Sequence, residues 1–339
     1  MTEDLESGYD VVVIGGGAAG LNGALMLARA RRSVVVIDGG EPRNAPASGV
    51  HGLLGREGMP PGELLERGRA EVRGYGGGIV PGEVTDVTRE GDGFRVVLGD
   101  GRVTRARRLL VTTGLVDELP DVRGLRERWG RDVVHCPYCH GWEIRDQAIG
   151  VLASGPMSLH QVQLFRQWST DVVFFTHTSA PPAGEAAEQL AARGVTVVEG
   201  AVESLVVVDD RLVGLRLADG RTVAREAVAV ASRMVARAGF LGSLGLRTVE
   251  HPSGAGEHLR TDATGRTDVP GVWAAGNVTD PSAQVGAAAA GGAWAAAQIN
   301  ADLIGDETRR AVAAFRDPFC AASEQRVAAL VAGDRRHGL

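Results

Sequence analysis

The chain has 339 residues, a formal net charge of −6 and an isoelectric point near 5.8. This length predicts two domains, because single hydrophobic cores stop growing at roughly 250 to 300 residues, and the negative charge argues against a nucleic acid or an anionic membrane as a partner. The sequence contains no lysine, which excludes a lysine Schiff base and the lysine of a P-loop.

Residues 1–9 are polar and acidic, and nowhere do apolar residues run for the roughly 18 positions that a membrane span needs. We therefore expect a cytoplasmic protein. Structural disulfides are rare in that compartment, so a C-x-x-C pair among three cysteines indicates redox or metal chemistry. The remaining cysteine, Cys320, is predicted to be a small buried hydrophobe.

The first predicted elements form a complete βαβ unit. The β-branched run Asp10–Ile14 is typical of a strand buried on both faces of a parallel sheet. It leads into the turn GGGAAG at 15–20, then into the apolar helix Leu21–Ala30 and the strand Ser33–Ile37, which Asp38 closes. Strand, glycine turn, helix and acid in this register predict a dinucleotide site.

The spacing of the glycines has a physical reason. Gly15 makes the tight turn, Gly17 lets the backbone approach a diphosphate at the helix N-terminus, and Gly20 permits close packing of helix and strand. The carboxylate of Asp38 is placed to bind ribose hydroxyls. The predicted cofactor contacts of this unit are Gly15, Gly17, Ala18, Ala19, Gly20 and Asp38.

Further predicted cofactor contacts follow along the chain. The loop Arg43–Gly55 contributes Asn44 and His51, although His51 alternatively only caps a turn. The short strand Leu109–Thr113 ends in Thr-Thr-Gly, at Gly114.

The segment HCPYCHGW at 135–142 carries the predicted chemistry. On a helical turn, three-residue spacing brings the Cβ atoms of Cys136 and Cys139 within about 5 to 6 Å, close to disulfide geometry. Pro137 suits the first helical turn, since its missing N–H has no partner to lose. The helix dipole and neighbouring imidazolium groups are expected to lower the thiol pKa and supply a thiolate.

Three other interpretations of this segment stay open. A zinc knuckle would need a second ligand pair, and His135 and His140 adjoin the cysteines instead of following at a distance, so no metal site is predicted. A glutaredoxin-like module shares C-P-Y-C but follows the first strand of a thioredoxin fold. Inert buried cysteines are the remaining alternative.

A second βαβ unit begins at the predicted strand Ile149–Leu152, but its phosphate loop is degraded. The segment ASGPMS at 153–158 keeps only Gly155 of the motif G-x-G-x-x-A, and Pro156 removes a backbone donor. After the next strand, Val172–Phe175, the residues THTS offer no arginine for the 2′-phosphate of NADPH. NADPH binding is therefore doubtful.

The segment GVWAAGN at 271–277 is another apolar strand with a glycine turn, followed by a Gly- and Ala-rich helix start at Gly286–Gly292. With these segments in place, residues 9–305 resemble the low-molecular-weight thioredoxin reductases. The resemblance implies an α/β fold with two Rossmann-like three-layer nucleotide-binding domains, FAD as cofactor and a homodimer. The FAD contacts that it adds are Thr113, Gly114, Gly276, Asn277, Gln284 and Val285.

The resemblance also implies roles for individual residues. Cys139 is the flavin-facing thiol and Cys136 exchanges with substrate. The family often has an acid after the second cysteine; here His140 takes that position, and it either acts as a base or caps a turn. Asn277 replaces an acid that meets the ribityl chain, and Asp280 is expected to take over part of that role.

The domain organisation is predicted as follows. The FAD-binding domain is discontinuous, 1–116 and 235–305, with crossings marked by Pro120 and by Ser232-Arg233. Residues 117–234 form the NAD(P)-binding-like domain with the dithiol. A helical tail, 306–339, broken at Pro318, either packs on a partner subunit or only completes the core.

C-P-Y-C-H-G together with an eroded NADPH loop resembles the flavin dithiol oxidases that close disulfides in gliotoxin- and holomycin-type natural products. The leading hypothesis is therefore an FAD-dependent oxidase of a small dithiol, with O2 as electron acceptor. The second hypothesis is an NADPH-dependent reductase of a thioredoxin-like protein. A third is a non-catalytic flavoprotein whose dithiol signals redox state.

Overall fold

A computed structural model describes residues 4–317 and 321–333. The predicted helix break at Pro318 and the predicted burial of Cys320 lie outside these residues. None of the described helices combines the length and the apolar character needed to cross a membrane.

The elements follow one another in three groups along the chain. The first is β1 (Gly8–Ile14), α1 (Ala18–Arg29), β2 (Val34–Asp38), α2 (Pro61–Gly74), β3 (Gly78–Pro81), β4 (Val84–Glu90), β5 (Gly93–Leu98), β6 (Val103–Val111) and β7 (Leu115–Glu118). The second is β8 (Val133–Val134), α3 (Pro137–His140), β9 (Ile149–Leu152), α4 (Ser158–Phe165), β10 (Val172–Phe175), α5 (Glu185–Ala192), β11 (Thr196–Val198), β12 (Val202–Val208), β13 (Arg211–Leu217), β14 (Thr222–Val223) and β15 (Ala227–Val230). The third is β16 (Arg233–Ala236), β17 (Thr248–Glu250), β18 (Glu257–Leu259), β19 (Val272–Ala274), α6 (Val285–Arg316) and α7 (Ala321–Gly333), with 3-10 turns at Gly239–Leu244 and Gly276–Val278.

The first sheet has the strand order β3-β2-β1-β6-β5-β4. Strand β19 pairs with the C-terminal end of β6, residues 109–111. Strands β3, β2, β1, β6 and β19 run parallel. Its central strand alternates between two cores, as its continuous β-branched run predicts: Val11 and Val13 pack towards α1 and α6, while Val12 and Ile14 pack on the opposite face.

The second sheet is parallel throughout, in the order β11-β10-β9-β15-β8. A separate antiparallel sheet, β12-β13-β14, packs beside it. The predicted fold class, α/β with two Rossmann-like sheets, is confirmed.

A two-stranded antiparallel ribbon of β7 and β16 connects the two parts, with Val116 opposite Val235 and Asp117 opposite Met234. The domain boundaries proposed from the sequence, 116/117 and 234/235, fall inside this ribbon. Both chain crossings therefore lie side by side.

Several element boundaries differ from the predictions. Helix α1 begins at Ala18, three residues before the predicted Leu21, because Gly17 already has the extended N-cap conformation and its carbonyl accepts the Leu21 N–H at 2.9 Å. Strand β6 ends at Val111 instead of Thr113, because Thr112 turns its hydroxyl back to the Ile14 and Gly15 carbonyls.

The predicted boundary between the FAD-binding domain and the helical tail, 305/306, falls inside α6, which runs through Gly305 to Arg316. Ion pairs explain the continuity. Glu307 binds Arg32 at 2.6 Å and Arg107 at 2.7 Å, so this turn of the helix is fixed to the first sheet.

Candidate active site

A cavity of about 710 Å³ extends from the first glycine loop to the dithiol. It is lined by residues of both parts of the chain. Among the predicted site residues, those at its wall are Gly15, Gly17, Ala18, Ala19, Asp38, Asn44, His51, Thr113, Gly114, Cys136, Cys139, His140, Gly276, Asn277, Gln284 and Val285.

The first glycine loop fits a diphosphate. Gly15 has φ +107°, and a Cβ there would lie 2.5 Å from the Thr112 carbonyl oxygen, so only glycine makes this turn. A Cβ on Gly17 would meet nothing within 4 Å, which leaves the N-terminus of α1 open to the cavity. Open backbone N–H groups at a helix start bind anions.

Gly20, a predicted cofactor contact, is not among the residues that line the cavity. A Cβ at this position would lie 1.9 Å from the Gly15 carbonyl oxygen and 2.6 Å from the Thr112 hydroxyl. Its role is therefore the close packing of α1 against the turn, which the motif spacing also predicted.

Asp38 lies at the end of β2, directly against the glycine loop. Its Oδ1 accepts the Gly40 N–H at 3.1 Å, and its Oδ2 accepts a hydrogen bond from Arg69 at 2.9 Å. The carboxylate is thus held at the cavity wall by two donors before any ribose binds.

The Asn277 side chain forms hydrogen bonds within its own loop. Its Nδ2 donates to the Asp280 carbonyl at 3.0 Å and to the Ala283 carbonyl at 2.9 Å. Asp280, which was expected to share a ribityl contact, accepts the backbone N–H and the hydroxyl of Ser282 at its Oδ1 and is not among the residues that line the cavity. Gln284 is the N-cap of α6, and it lines the cavity together with Val285.

Cys136 and Cys139 occupy different positions on the short helix α3. Cys136 is its N-cap and Pro137 its first residue. A hydrogen bond from the Cys139 thiol lowers the pKa of Cys136, and N–H groups of Cys139 and Tyr138 add to the effect against the opposing influence of burial, giving a pKa of about 7. The same hydrogen bond and burial raise the pKa of Cys139.

His140 is the last residue of α3 and lines the cavity together with Cys136 and Cys139. Both of its ring nitrogens are buried, and neither has a hydrogen-bond partner among the described residues. Burial lowers the pKa of His140, an effect that Glu143 opposes and His51 reinforces. A neutral imidazole is therefore available as a base at pH 7.

Sequence reasoning missed a polar group beside the dithiol. Arg43 donates to both carboxylate oxygens of Asp117, at 2.6 and 2.7 Å, and the Ser232 hydroxyl donates to Asp117 at 2.5 Å. The positive charge of Arg43 favours the thiolate of Cys136. No sequence pattern signals this group, because Arg43 and Asp117 are 74 residues apart.

The second nucleotide loop differs from the first. The Ser158 hydroxyl accepts the N–H groups of Ser154 and Gly155, at 3.0 and 3.2 Å. Pro156 lies against the turn of the β17–β18 hairpin, since a Cβ on Gly254 would be 3.3 Å from its Cγ. The donors that would face a diphosphate are thus satisfied within the loop.

The segment 176–179 after β10, where the 2′-phosphate of NADPH is expected, contains no arginine. His177 follows β10 with φ +52°, and its Nδ1 accepts the Val202 N–H at 3.0 Å. In addition, among the residues that the structure describes, no three His, Cys, Asp or Glu side chains come together as metal ligands.

The family model of the pyridine nucleotide-disulphide oxidoreductases matches residues 9–297. The chain belongs to this family. Its fold, dithiol and first nucleotide loop are those of an enzyme that moves electrons between thiols and a flavin.

Relatives within the family cover nearly the whole chain. The thioredoxin reductase tcpT of Claviceps purpurea (strain 20.1) is 30% identical over 318 residues, 88% of this chain and 97% of its own. The crystal structure of HlmI has a TM-score of 0.86 at 50% identity and covers 93% of this chain and 99% of its own. The putative thioredoxin reductase TrxB from Bacillus anthracis has a TM-score of 0.82 at 28% identity, with 88% and 99% covered.

These comparisons confirm the resemblance predicted from the motifs. The chain is a flavin-dependent thiol/disulfide oxidoreductase similar to thioredoxin reductases and to HlmI.

Proposed function

We propose that the chain is an FAD-dependent oxidase that closes a disulfide in a small dithiol, with O2 as the electron acceptor. The contrast between the two nucleotide loops carries this proposal. The first is open to a cavity that reaches the dithiol, whereas the second binds its own N–H groups through Ser158 and has Pro156 where a donor is needed. Without a strong NADPH site, the substrate dithiol is the available donor.

In the proposed reaction, one substrate thiolate attacks the Cys136 sulfur of the Cys136–Cys139 disulfide, and the Cys139 thiolate leaves. The second substrate thiol then attacks the substrate sulfur of the mixed disulfide, which closes the product disulfide and releases the Cys136 thiolate. FAD, when bound, supplies the chemistry that takes the electron pair from the dithiol and passes it to O2. The two thiol protons of the substrate end in H2O2.

The residues of α3 suit these roles. Because the pKa of Cys136 is about 7, its thiolate is stable as a leaving group near neutral pH. The buried, unpartnered imidazole of His140 is placed to hold a thiol proton. Arg43 adds a positive charge that favours both thiolates.

The predicted FAD contacts remain part of this proposal. Gly15, Gly17, Ala18 and Ala19 would hold the diphosphate at the start of α1, and Asp38 the ribose. Asn44, His51, Thr113, Gly114, Gly276, Asn277, Gln284 and Val285 line the rest of the cavity towards the dithiol. The N-terminus of α6 would favour negative charge on the reduced flavin.

The second candidate is an NADPH-dependent reductase of a thioredoxin-like protein. The names of relatives such as tcpT favour it. We further propose a cytoplasmic homodimer. Support for the dimer is the exposed apolar surface at the C-terminal helices, where Phe315, Leu330 and Val331 are 87%, 73% and 69% exposed.

An anaerobic titration of the flavin-loaded protein separates the two directions. Stoichiometric dithiothreitol is expected to bleach the flavin absorbance, NADPH is expected to leave it unchanged, and air should restore it with one H2O2 per dithiol. Rapid bleaching by stoichiometric NADPH would establish the reductase instead.

The same preparation tests the third hypothesis, a redox sensor without turnover. Under air with excess dithiothreitol, wild type should release H2O2 continuously and Cys136→Ser should not. A wild-type protein that binds flavin but releases no more than one equivalent of H2O2 would favour the sensor.

A further inference from the structure

His51 lies at the edge of the cavity, between two carboxylates from different parts of the chain. Its Nδ1 is 2.6 Å from Glu57 Oε1, in the same loop, and its Nε2 is 3.5 Å from Glu143 Oε1, which follows α3. The second oxygen of Glu57 accepts the Gly52 N–H at 2.9 Å. The His51 ring is therefore oriented by contacts on both sides.

The side chains that surround His51 differ in their exposure to solvent. His140 has both ring nitrogens buried beside the dithiol. The side chains of His51, Glu143 and Glu57 are 21%, 35% and 66% exposed. His140 and His51 line the same cavity as the half-buried dithiol, so proton-binding groups are present from the dithiol to a carboxylate in water.

The proposed reaction needs such a series. Oxidation of the Cys136/Cys139 dithiol to the disulfide releases two electrons and two protons. The electron pair leaves by way of the flavin, but protons need groups that bind and release them. Glu143 and His51 act electrostatically on His140 from neighbouring segments, and His140 in turn acts on His135, which precedes the dithiol.

We propose that His51, Glu143 and Glu57 form a proton route between His140 and solvent. This inference rests on the proposed oxidation of the dithiol. His140 takes a thiol proton, passes it to the His51–Glu143 pair, and Glu57 exchanges it with water; for each proton that leaves, an equal one returns when H2O2 forms. No electron moves along the route.

Two electrostatic features support this direction. Burial lowers the pKa of His140, so the imidazolium gives up its proton readily. Hydrogen bonds from His51 and from the Gly52 N–H lower the pKa of Glu57, which keeps this carboxylate charged beside His51.

The variants Glu57→Gln and His51→Gln test the route, with Glu63→Gln as the matched control because Glu63 is an exposed glutamate on α2 paired with Arg67. The measurement is anaerobic flavin reduction by dithiothreitol at pH 6 to 9. Both variants are expected to be slowed about tenfold, below the effect of losing a general base outright. Added imidazole should restore their rates without affecting wild type or Glu63→Gln.

A second measurement does not depend on turnover. In histidine-labelled protein, NMR should show a proton on His51 Nδ1 shared with Glu57, lost in Glu57→Gln and kept in Glu63→Gln. Normal rates of flavin reduction in both Glu57→Gln and His51→Gln at full flavin content would overturn the proposal. So would slow variants that imidazole does not rescue, since that result indicates a purely structural pair.

A failure of the proposed oxidase function would be recognised from the wild-type protein alone. In that case dithiothreitol would not reduce the flavin of the wild-type protein, whereas NADPH would. The same variants would then be compared in NADPH-driven reduction of a small disulfide, in which protons must travel inward to the leaving thiols. Equal rates for wild type and variants there would also overturn the route.

Discussion

At the scale of single residues, the two sulfurs differ because they occupy different positions on one helical turn. Cys136 is the N-cap of α3 and receives N–H groups, whereas Cys139 lies inside the turn with a raised pKa. The pair therefore carries its negative charge on Cys136, and His140 is the neighbouring group that can hold the proton of Cys139.

His140→Gln tests this assignment. Burial lowers the pKa of His140 below 6.5, so the neutral base is present at pH 7 and is lost as the pH falls through that lowered value. Flavin reduction by a dithiol should slow about 100-fold in the variant, as expected for loss of a general base. The wild-type decline on the acidic side should also disappear.

His160→Gln is the control for this experiment, because His160 is exposed on α4. It should keep the wild-type rate and pH profile. A His140→Gln protein with an unchanged profile would show that the residue only completes the turn.

At the scale of elements, the cofactor loop depends on the contact between α1 and α6. A Cβ on Gly292 would lie 1.9 Å from the Ala19 carbonyl oxygen, which is backbone and cannot move aside. Ala19 is itself part of the cavity wall. The glycine-rich start of α6 is thus a packing requirement that also shapes the flavin site.

Gly292→Ala is expected to destabilise the protein by about 1 to 3 kcal/mol through overpacking and to reduce its flavin content. Gly291→Ala is the matched control, since a Cβ there meets only the Ala275 Cβ at 3.9 Å. The control should be neutral or slightly stabilising, because alanine favours a helix. Equal urea midpoints for the two variants would contradict the packing argument.

Sequence reasoning located the local features of these elements but not the long-range ones. The glycine loop and the Cys136-Pro137 turn could be predicted because their geometry depends on neighbours in the chain. The bonds of Asn277 to its own loop and the ion pairs of Glu307 were not, since they depend on how distant segments meet.

The weak phosphate binding of the second nucleotide loop could be predicted only in part from the sequence. Pro156 and the missing glycines indicated weak phosphate binding, and the structure adds the reason that Ser158 accepts the loop's N–H groups. The sequence did contain that signal, as a serine at the start of the following helix.

At the scale of the whole molecule, Arg43, Asp117 and Ser232 connect the loop after β2, the ribbon and the end of the second sheet. The side chain of Asp117 is 7% exposed. Burial alone would raise its pKa, but the hydrogen bonds from Arg43 and Ser232 outweigh burial and hold the pKa of Asp117 below its usual value.

Asp117→Asn should therefore lower the free energy of unfolding by about 3 to 5 kcal/mol, as expected when a buried ion pair loses one partner. Because the folded pKa is depressed, the Asp117 contribution is present above the unfolded pKa near 3.9 and is lost as the pH falls through the folded value. The gap between wild type and variant should therefore close at low pH.

Asp268→Asn is the control, since Asp268 is 81% exposed and pairs with Arg260 at 3.3 Å. Urea unfolding at pH 7 and at successively lower pH measures both variants. A gap that is independent of pH would contradict the role of the Asp117 charge.

The position of Cys136 on α3 has a consequence for selectivity in a cell rich in monothiols. A thiolate with a pKa of about 7 departs quickly when a mixed disulfide is attacked. An adduct with a monothiol such as glutathione is resolved by Cys139 from within the same turn, so the site resets itself. Only a partner that brings its own second sulfur completes the exchange, and competition by abundant single thiols delays turnover without blocking it.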